Sequence, residues 1–215
     1  MTNDIDDIIT LAKNYLADDP TGHDFLHLQR VDKLAVMMYR KEHPTDYHGI
    51  KLIHIMCYLH DLIDEKLTSQ VEERLNEIKQ LKTIELLSKE DRENVFDTIE
   101  NMSYSKNIEQ AHLLSIEGKY VQDADRLDAL GAIGIARAFA YGGYHHRLIY
   151  SDEKPHDFKS ANEYHQYQGT TINHFYEKLL KLENKMNTEI GLKIAHERTE
   201  FMKQFLTEFF TEVQE

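Results

Sequence analysis

The chain has 215 residues, and its 25 Lys and Arg against 38 Asp and Glu give a formal net charge of −13. This acidic balance argues against a surface that binds nucleic acid or an anionic membrane, because both of those partners are themselves negatively charged. Hydrophobic residues make up 41% of the chain, which is enough for a core, and a single cysteine permits no internal disulfide. No signal-peptide core or membrane span is recognisable, so we expect a cytoplasmic protein.

Helical periodicity predicts an all-α fold, because three prolines and nine glycines leave few helix breakers and no alternating strand pattern appears. The first predicted helix covers 5–16, the second begins at Asp24 as N-cap, and the third covers 47–60. The later predicted helices cover 71–87, 89–102, 120–141, 162–182 and 188–213. We expect one domain over residues 1–215, with its functional site between helices.

Residues 142–170 break this pattern. The segment has paired glycines, a proline and many Tyr and His residues, but no clear period. It is too long for a simple connection. Two interpretations are open at this point: an ordered surface excursion, or a lid or substrate loop over a site.

Three predicted helices carry a polar residue where a core residue belongs: His27, His60 and Asp125. The other members of these stripes are Val31, Leu34 and Met38; Gly49, Ile53 and Met56; and Val121, Ala129, Ala132 and Ala136. A lone histidine on such a stripe is more often a hydrogen-bonded core residue, and a lone aspartate can pair with an arginine. Together with Asp61, however, two histidines and two aspartates could satisfy one another through a divalent cation. Mixed nitrogen and oxygen ligation suits Mn²⁺, Fe²⁺, Co²⁺ or Ni²⁺ better than Ca²⁺, and four protein ligands leave positions for water and substrate.

The motifs "HLQRV" (27–31), "LHD" (59–61) and "ADRL" (124–127) resemble, in type and order, those of the HD superfamily of metal-dependent phosphohydrolases. More narrowly, "GHDFLHLQRV", "LHDLIDEK", "VQDADRLDALGAIGIARAF" and "TTINHFYEKLLKL" are similar to the bacterial YpgQ-like branch, and they span nearly the whole chain. The resemblance implies an HD-type helical domain whose metal ligands are His27, His60, Asp61 and Asp125. Family members with two or three metals carry extra histidines between the HD pair and the last aspartate, where this chain offers only His112. We therefore expect one divalent ion, with Mn²⁺ favoured and Fe²⁺, Co²⁺, Ni²⁺ or Mg²⁺ as alternatives.

Asp64 and Glu65 follow Asp61 by three and four residues. They could form a solvated acidic helix end, or one of them could orient or deprotonate the attacking water as a catalytic residue. Their spacing resembles the alarmone hydrolases of the superfamily, in which an acidic pair after the HD dipeptide serves the removal of pyrophosphate. The candidate substrate contacts are His23, Lys66, Arg126 and Lys178.

These features favour a metal-dependent phosphohydrolase, with a nucleotide pyrophosphohydrolase that converts (d)NTP to (d)NMP and pyrophosphate as the leading hypothesis. A 5′-nucleotidase or phosphodiesterase with the same site is one alternative, and a nucleotide or metal sensor without turnover is another. The expected partner is a small phosphorylated substrate, with no nucleic acid and no membrane, and the oligomeric state is left open.

Overall fold

A computed structural model describes residues 4–65 and 67–214 of the chain. Across these two ranges the protein forms eleven α-helices and no strand, which confirms the all-α prediction. The helices are α1 (Asp6–Leu16), α2 (Phe25–Glu42), α3 (Tyr47–Leu59), α4 (Val71–Lys79), α5 (Lys82–Glu85), α6 (Lys89–Asn101), α7 (Ile116–Asp128), α8 (Gly131–Tyr144), α9 (Ala161–Gln166), α10 (Thr171–Glu177) and α11 (Glu189–Gln214). None of the described helices combines the length and the apolar content that a bilayer span requires.

The described chain divides into two compact units. The first contains the residues up to Asp19 together with His23–Gln122, and the second contains Pro20–Gly22 together with the residues from Asp123 onward. The boundary falls inside α7, between Gln122 and Asp123. The single domain over residues 1–215 stays a prediction.

Helix α3 is the centre of the first unit. It packs against α1, α2 and α6, and nine of its thirteen residues are buried, as expected for a run that is apolar on nearly every side. Asp46 caps its start, because the side chain accepts a hydrogen bond from the backbone N–H of Gly49 at 2.9 Å. Four residues, 43–46, connect α2 to α3, so the helix that carries His27 and the helix that leads into His60 and Asp61 are neighbours in sequence and in packing.

The second unit is built around α8, α10 and α11. Helix α8 packs against α10 and α11, and the rings of Phe139, Phe175 and Phe205 meet there with centroids 5.8–6.2 Å apart. The start of α11 is held by the buried carboxylate of Asp123, which accepts four hydrogen bonds of 2.8–2.9 Å from Asn187 and Thr188.

Several predicted helices are shorter than expected. The third ends at Leu59 and tightens into a 3₁₀ turn over His60–Ile63, and the helix predicted over 71–87 divides into α4 and α5. The helix predicted over 162–182 divides into α9, α10 and a 3₁₀ turn over Leu179–Lys181. The helix predicted over 120–141 divides into α7 and α8, because Gly131 takes the left-handed conformation with φ +71°.

This last break corrects the apolar stripe assigned to Asp125. Ala132 and Ala136 belong to α8 rather than to α7, and both are exposed. The prediction of one apolar stripe over 121–136 is therefore wrong for the residues after Ala129, although Val121 is buried.

The 142–170 segment has its own internal contacts. Its base is closed by backbone hydrogen bonds of 2.9 Å from the N–H of Thr171 to Leu148 and from that of Ile172 to Ile149. Within the segment, the His156 ring lies 2.6 Å from a carboxylate oxygen of Glu163. These contacts favour the ordered excursion, and the lid or substrate-loop function stays a prediction.

Candidate metal centre

His27 lies in the first turn of α2, and the capping of that turn fixes its position. The Asp24 carboxylate accepts a hydrogen bond from the backbone N–H of His27 at 2.8 Å, which confirms Asp24 as the N-cap. The His27 side chain is fully buried, as are Val31 and Met38 further along the same stripe. A histidine thus occupies a core position, as the sequence predicts.

His60 and Asp61 lie in the 3₁₀ turn that follows α3. The Nδ1 of His60 lies 2.9 Å from the backbone carbonyl oxygen of Cys57. Because a carbonyl oxygen only accepts, Nδ1 must carry a proton, and the neutral ring then offers the lone pair of Nε2 to a metal. A carbonyl that holds the second ring nitrogen is the usual support of a metal-bound histidine.

The three side chains converge. Nε2 of His27 lies 3.3 Å from Oδ2 of Asp61, and Nε2 of His60 lies 3.2 Å from Oδ1 of the same carboxylate. One ligand atom from each residue lies within 4.8 Å of the other two, and the residues are only 0–6% exposed. Over residues 4–65 and 67–214, this is the one group of three or more His, Cys, Asp or Glu with metal-ligand spacing. Two imidazole nitrogens and one carboxylate fit a divalent first-row transition ion.

The electrostatics favour an anionic Asp61. Burial alone would raise the pKa of this carboxyl, but the imidazoles of His60 and His27 outweigh that effect and hold the pKa below its usual range. The site therefore presents a charged carboxylate in an interior that would otherwise exclude one.

The fourth predicted ligand, Asp125, is half-buried in the last turns of α7 and belongs to the second unit. Its neighbours Asp123 and Asp128 are more deeply buried, and Asp128 lies 3.1 Å from the guanidinium of Arg137. The ligand role of Asp125 stays a prediction.

The structure distinguishes the two candidate catalytic acids. Asp64 is half-buried directly after the 3₁₀ turn, and its backbone N–H points to the carbonyl of Asp61 at 3.4 Å. Glu65 is exposed. Among the candidate substrate contacts, the ring of His23 lies edge-on to that of His27 with centroids 6.0 Å apart. Lys66 lies outside the described residues.

Arg126 and Lys178 belong to the second unit. The buried guanidinium of Arg126 donates a hydrogen bond to the backbone carbonyl of Lys185. Lys178 is half-buried at the end of α10. Their substrate roles stay predictions. Sequence reasoning missed two features of the first unit, the Cys57 carbonyl behind His60 and Arg74, whose guanidinium donates to the 3₁₀ turn over His60–Ile63, called the HD turn below. In the second unit it missed the buried Asp123.

Comparison with known proteins agrees with this geometry. The model of the HD domain family matches residues 25–130, a range that contains all four predicted ligands. The chain is 36% identical over 200 residues to YpgQ of Bacillus subtilis, with 93% of this chain and 88% of YpgQ covered. The chain belongs to the HD family. As an HD protein it is a metal-dependent phosphohydrolase that binds a divalent ion.

The similarity to solved structures covers nearly the whole chain. A crystal structure of a Lactobacillus plantarum protein superposes with a TM-score of 0.85 at 37% identity, covering 100% of this chain and 98% of that one. A crystal structure of Bacillus subtilis YpgQ in complex with ADP superposes with a TM-score of 0.72 at 35% identity, covering 98% and 95%. An HD-superfamily hydrolase from Bacillus thuringiensis gives a TM-score of 0.69 at 36% identity, covering 99% and 98%.

Proposed function

We propose that the protein hydrolyses a nucleoside or deoxynucleoside triphosphate to the monophosphate and pyrophosphate. One divalent ion, with Mn²⁺ favoured, would be held by His27, His60, Asp61 and Asp125. The observation that carries the proposal is the convergence of the first three, whose ligand atoms lie within 4.8 Å of one another in a buried position.

The donor set fits one metal. Bound there, the ion would lower the pKa of water and neutralise phosphate charge, which is the chemistry that phosphoanhydride hydrolysis needs. His112, the extra histidine that a second metal would call for, instead lies at the surface with Nε2 2.9 and 3.0 Å from the two carboxylate oxygens of Asp97. This contact supports a single ion.

Asp64 is the better candidate for the general base. Asp64 is half-buried and directly follows the turn that carries His60 and Asp61, whereas Glu65 is exposed. In this role the Asp64 carboxylate accepts the proton of the attacking water. His23, beside His27, would neutralise phosphate charge as the oxygens of the leaving pyrophosphate become more negative.

Two observations support a nucleotide as substrate. The related YpgQ was crystallised with ADP. The acidic pair at 64–65 resembles that of the pyrophosphate-releasing alarmone hydrolases. The overall charge of −13 does not exclude an anionic substrate, because a bound cation can supply the positive charge.

A panel of nucleoside and deoxynucleoside triphosphates with Mn²⁺, with orthophosphate and pyrophosphate measured separately, tests the proposal. Two analogues locate the scissile bond: an α,β-methylene triphosphate should resist hydrolysis, whereas a β,γ-methylene triphosphate should still be cleaved. Orthophosphate as the first product would favour the nucleotidase alternative. Metal-dependent nucleotide binding without any product would favour the sensor.

The neighbouring acids provide a matched pair of variants. Asp64→Asn should lower turnover about 10²–10⁴-fold while metal binding is kept, because it removes a general base and not a ligand. Glu65→Gln should retain near-normal turnover. Near-normal turnover of Asp64→Asn would exclude Asp64 as the base.

A further inference from the structure

Arg74 on α4 contacts the turn that carries the HD pair. Its guanidinium donates a hydrogen bond to the backbone carbonyl of Leu62 at 3.0 Å. Leu62 directly follows Asp61 and is fully buried. Carbonyl groups at the end of a helix lack partners within that helix, and a cation placed there is electrostatically favourable. Arg74 therefore supplies a donor and a positive charge where α3 ends.

A second helix, α1, restrains the Arg74 side chain. The central carbon of its guanidinium lies 4.0 Å from the centroid of the Tyr15 ring on α1. The Tyr15 hydroxyl donates a hydrogen bond of 2.6 Å to a carboxylate oxygen of Glu77, one turn after Arg74 on α4. A flat guanidinium stacked on a ring has far less freedom than an exposed arginine. The contacts thus link α1, α4 and the HD turn through one side chain.

We propose that Arg74 is a positioning residue for the metal centre: its hydrogen bond to Leu62 sets the turn in which His60 and Asp61 face each other. The inference rests on the metal site of the proposed function. The backbone contact that closes the turn, from the Asp64 N–H to the Asp61 carbonyl, is long at 3.4 Å. The shorter bond from Arg74 is therefore the firmer restraint on this end of the turn.

Arg92 offers a matched control within the same unit. Its guanidinium also donates to backbone carbonyls at a helix end, those of Glu85 at 3.0 Å and Leu87 at 3.4 Å. These carbonyls lie at the end of α5, not at the HD turn. Arg92→Met removes the same kind of contact as Arg74→Met but leaves the ligands untouched.

Titration of the metal-free protein with Mn²⁺ by calorimetry is the first measurement. Arg74→Met should weaken Mn²⁺ binding about 10–100-fold, the usual effect of removing a group that supports metal ligands. Arg74→Lys, which keeps the charge and a donor but cannot stack as a plane, should recover part of this loss. Arg92→Met should bind Mn²⁺ as the wild type does. Unchanged affinity in Arg74→Met, or an equal loss in Arg92→Met, would overturn the proposal.

Hydrogen exchange of the metal-free protein tests the positioning role of Arg74 independently of metal binding. The amides of residues 61–65 should exchange faster in Arg74→Met than in the wild type, while those of α2 stay unchanged. If Arg74→Met does not fold, Tyr15→Leu should show the same change in weaker form, and its absence there would overturn the proposal. A wild-type protein that binds no Mn²⁺ would disprove the proposed metal site, whereas the exchange result would still decide whether Arg74 restrains the turn.

Discussion

Replacing Asp61 with asparagine should separate the metal function of this residue from its structural role. Asparagine keeps the shape of the side chain but removes the negative charge. That charge attracts a divalent ion, but without an ion it is costly to bury. Asp61 is only 5% exposed, and its two oxygens lie 3.2 and 3.3 Å from the imidazole nitrogens of His60 and His27.

The size of the effect differs between the metal-free and metal-bound states. Without metal, the substitution removes one partner of a buried group of interacting side chains, so the unfolding free energy should fall by about 3–5 kcal/mol. With metal at about 1,000 times its Kd, the wild type gains about 4 kcal/mol by linkage. For a chain of this length that gain corresponds to a rise in Tm of about 8–16 °C. Asp61→Asn should lose this rise almost entirely.

Thermal unfolding with and without Mn²⁺, followed by circular dichroism, measures both quantities. Asp32→Asn is the matched control, because Asp32 is also buried in the first unit and its carboxylate lies 2.5 Å from Nδ1 of His54, outside the metal group. This control should keep the full rise in Tm with Mn²⁺. If Asp61→Asn also keeps it, or if Asp32→Asn loses it, the assignment of Asp61 as a ligand is wrong.

Three further predictions concern stability. Asp24→Ala should lower the unfolding free energy by about 1 kcal/mol through loss of the α2 cap, and Asp24→Ser should restore most of it in a urea titration. Burial raises the pKa of Glu177 above its ordinary 4.5, so wild-type stability relative to Glu177→Gln should fall as pH rises from 4.5 through that raised pKa; parallel pH profiles would contradict this. Burial pushes the pKa of Asp7 upward, but hydrogen bonds from Thr83 outweigh it and hold the pKa below 3.8. Stability from Asp7 should therefore be present above pH 3.8 and lost as pH falls through the lowered pKa, and Asp7→Asn should flatten that acid limb.

The residues that could be predicted from sequence are those whose signal is local. His27 interrupts the apolar stripe of α2, His60 directly follows that of α3, and the structure buries both of them. Asp24 precedes an apolar helix at the usual capping position, and its carboxylate caps α2. In each case the periodic pattern and the residue that departs from it lie within about three turns of one helix, so a single stretch of sequence contains the whole signal.

The features that sequence reasoning missed depend on partners far away in the chain. Asp123 and Asp125 lie two residues apart in one motif, and nothing local indicates that Asp123 is the more buried. Its burial depends on four donors from Asn187 and Thr188, 64 and 65 residues later. Arg74 likewise follows the HD turn by twelve residues on a polar helix, where an arginine is expected to be solvated. A helical period specifies which face of one helix is apolar, but it does not specify which distant polar groups will meet a buried carboxylate or carbonyl. Because buried polar groups must be satisfied, these pairings are physical constraints on the fold that only the three-dimensional structure shows.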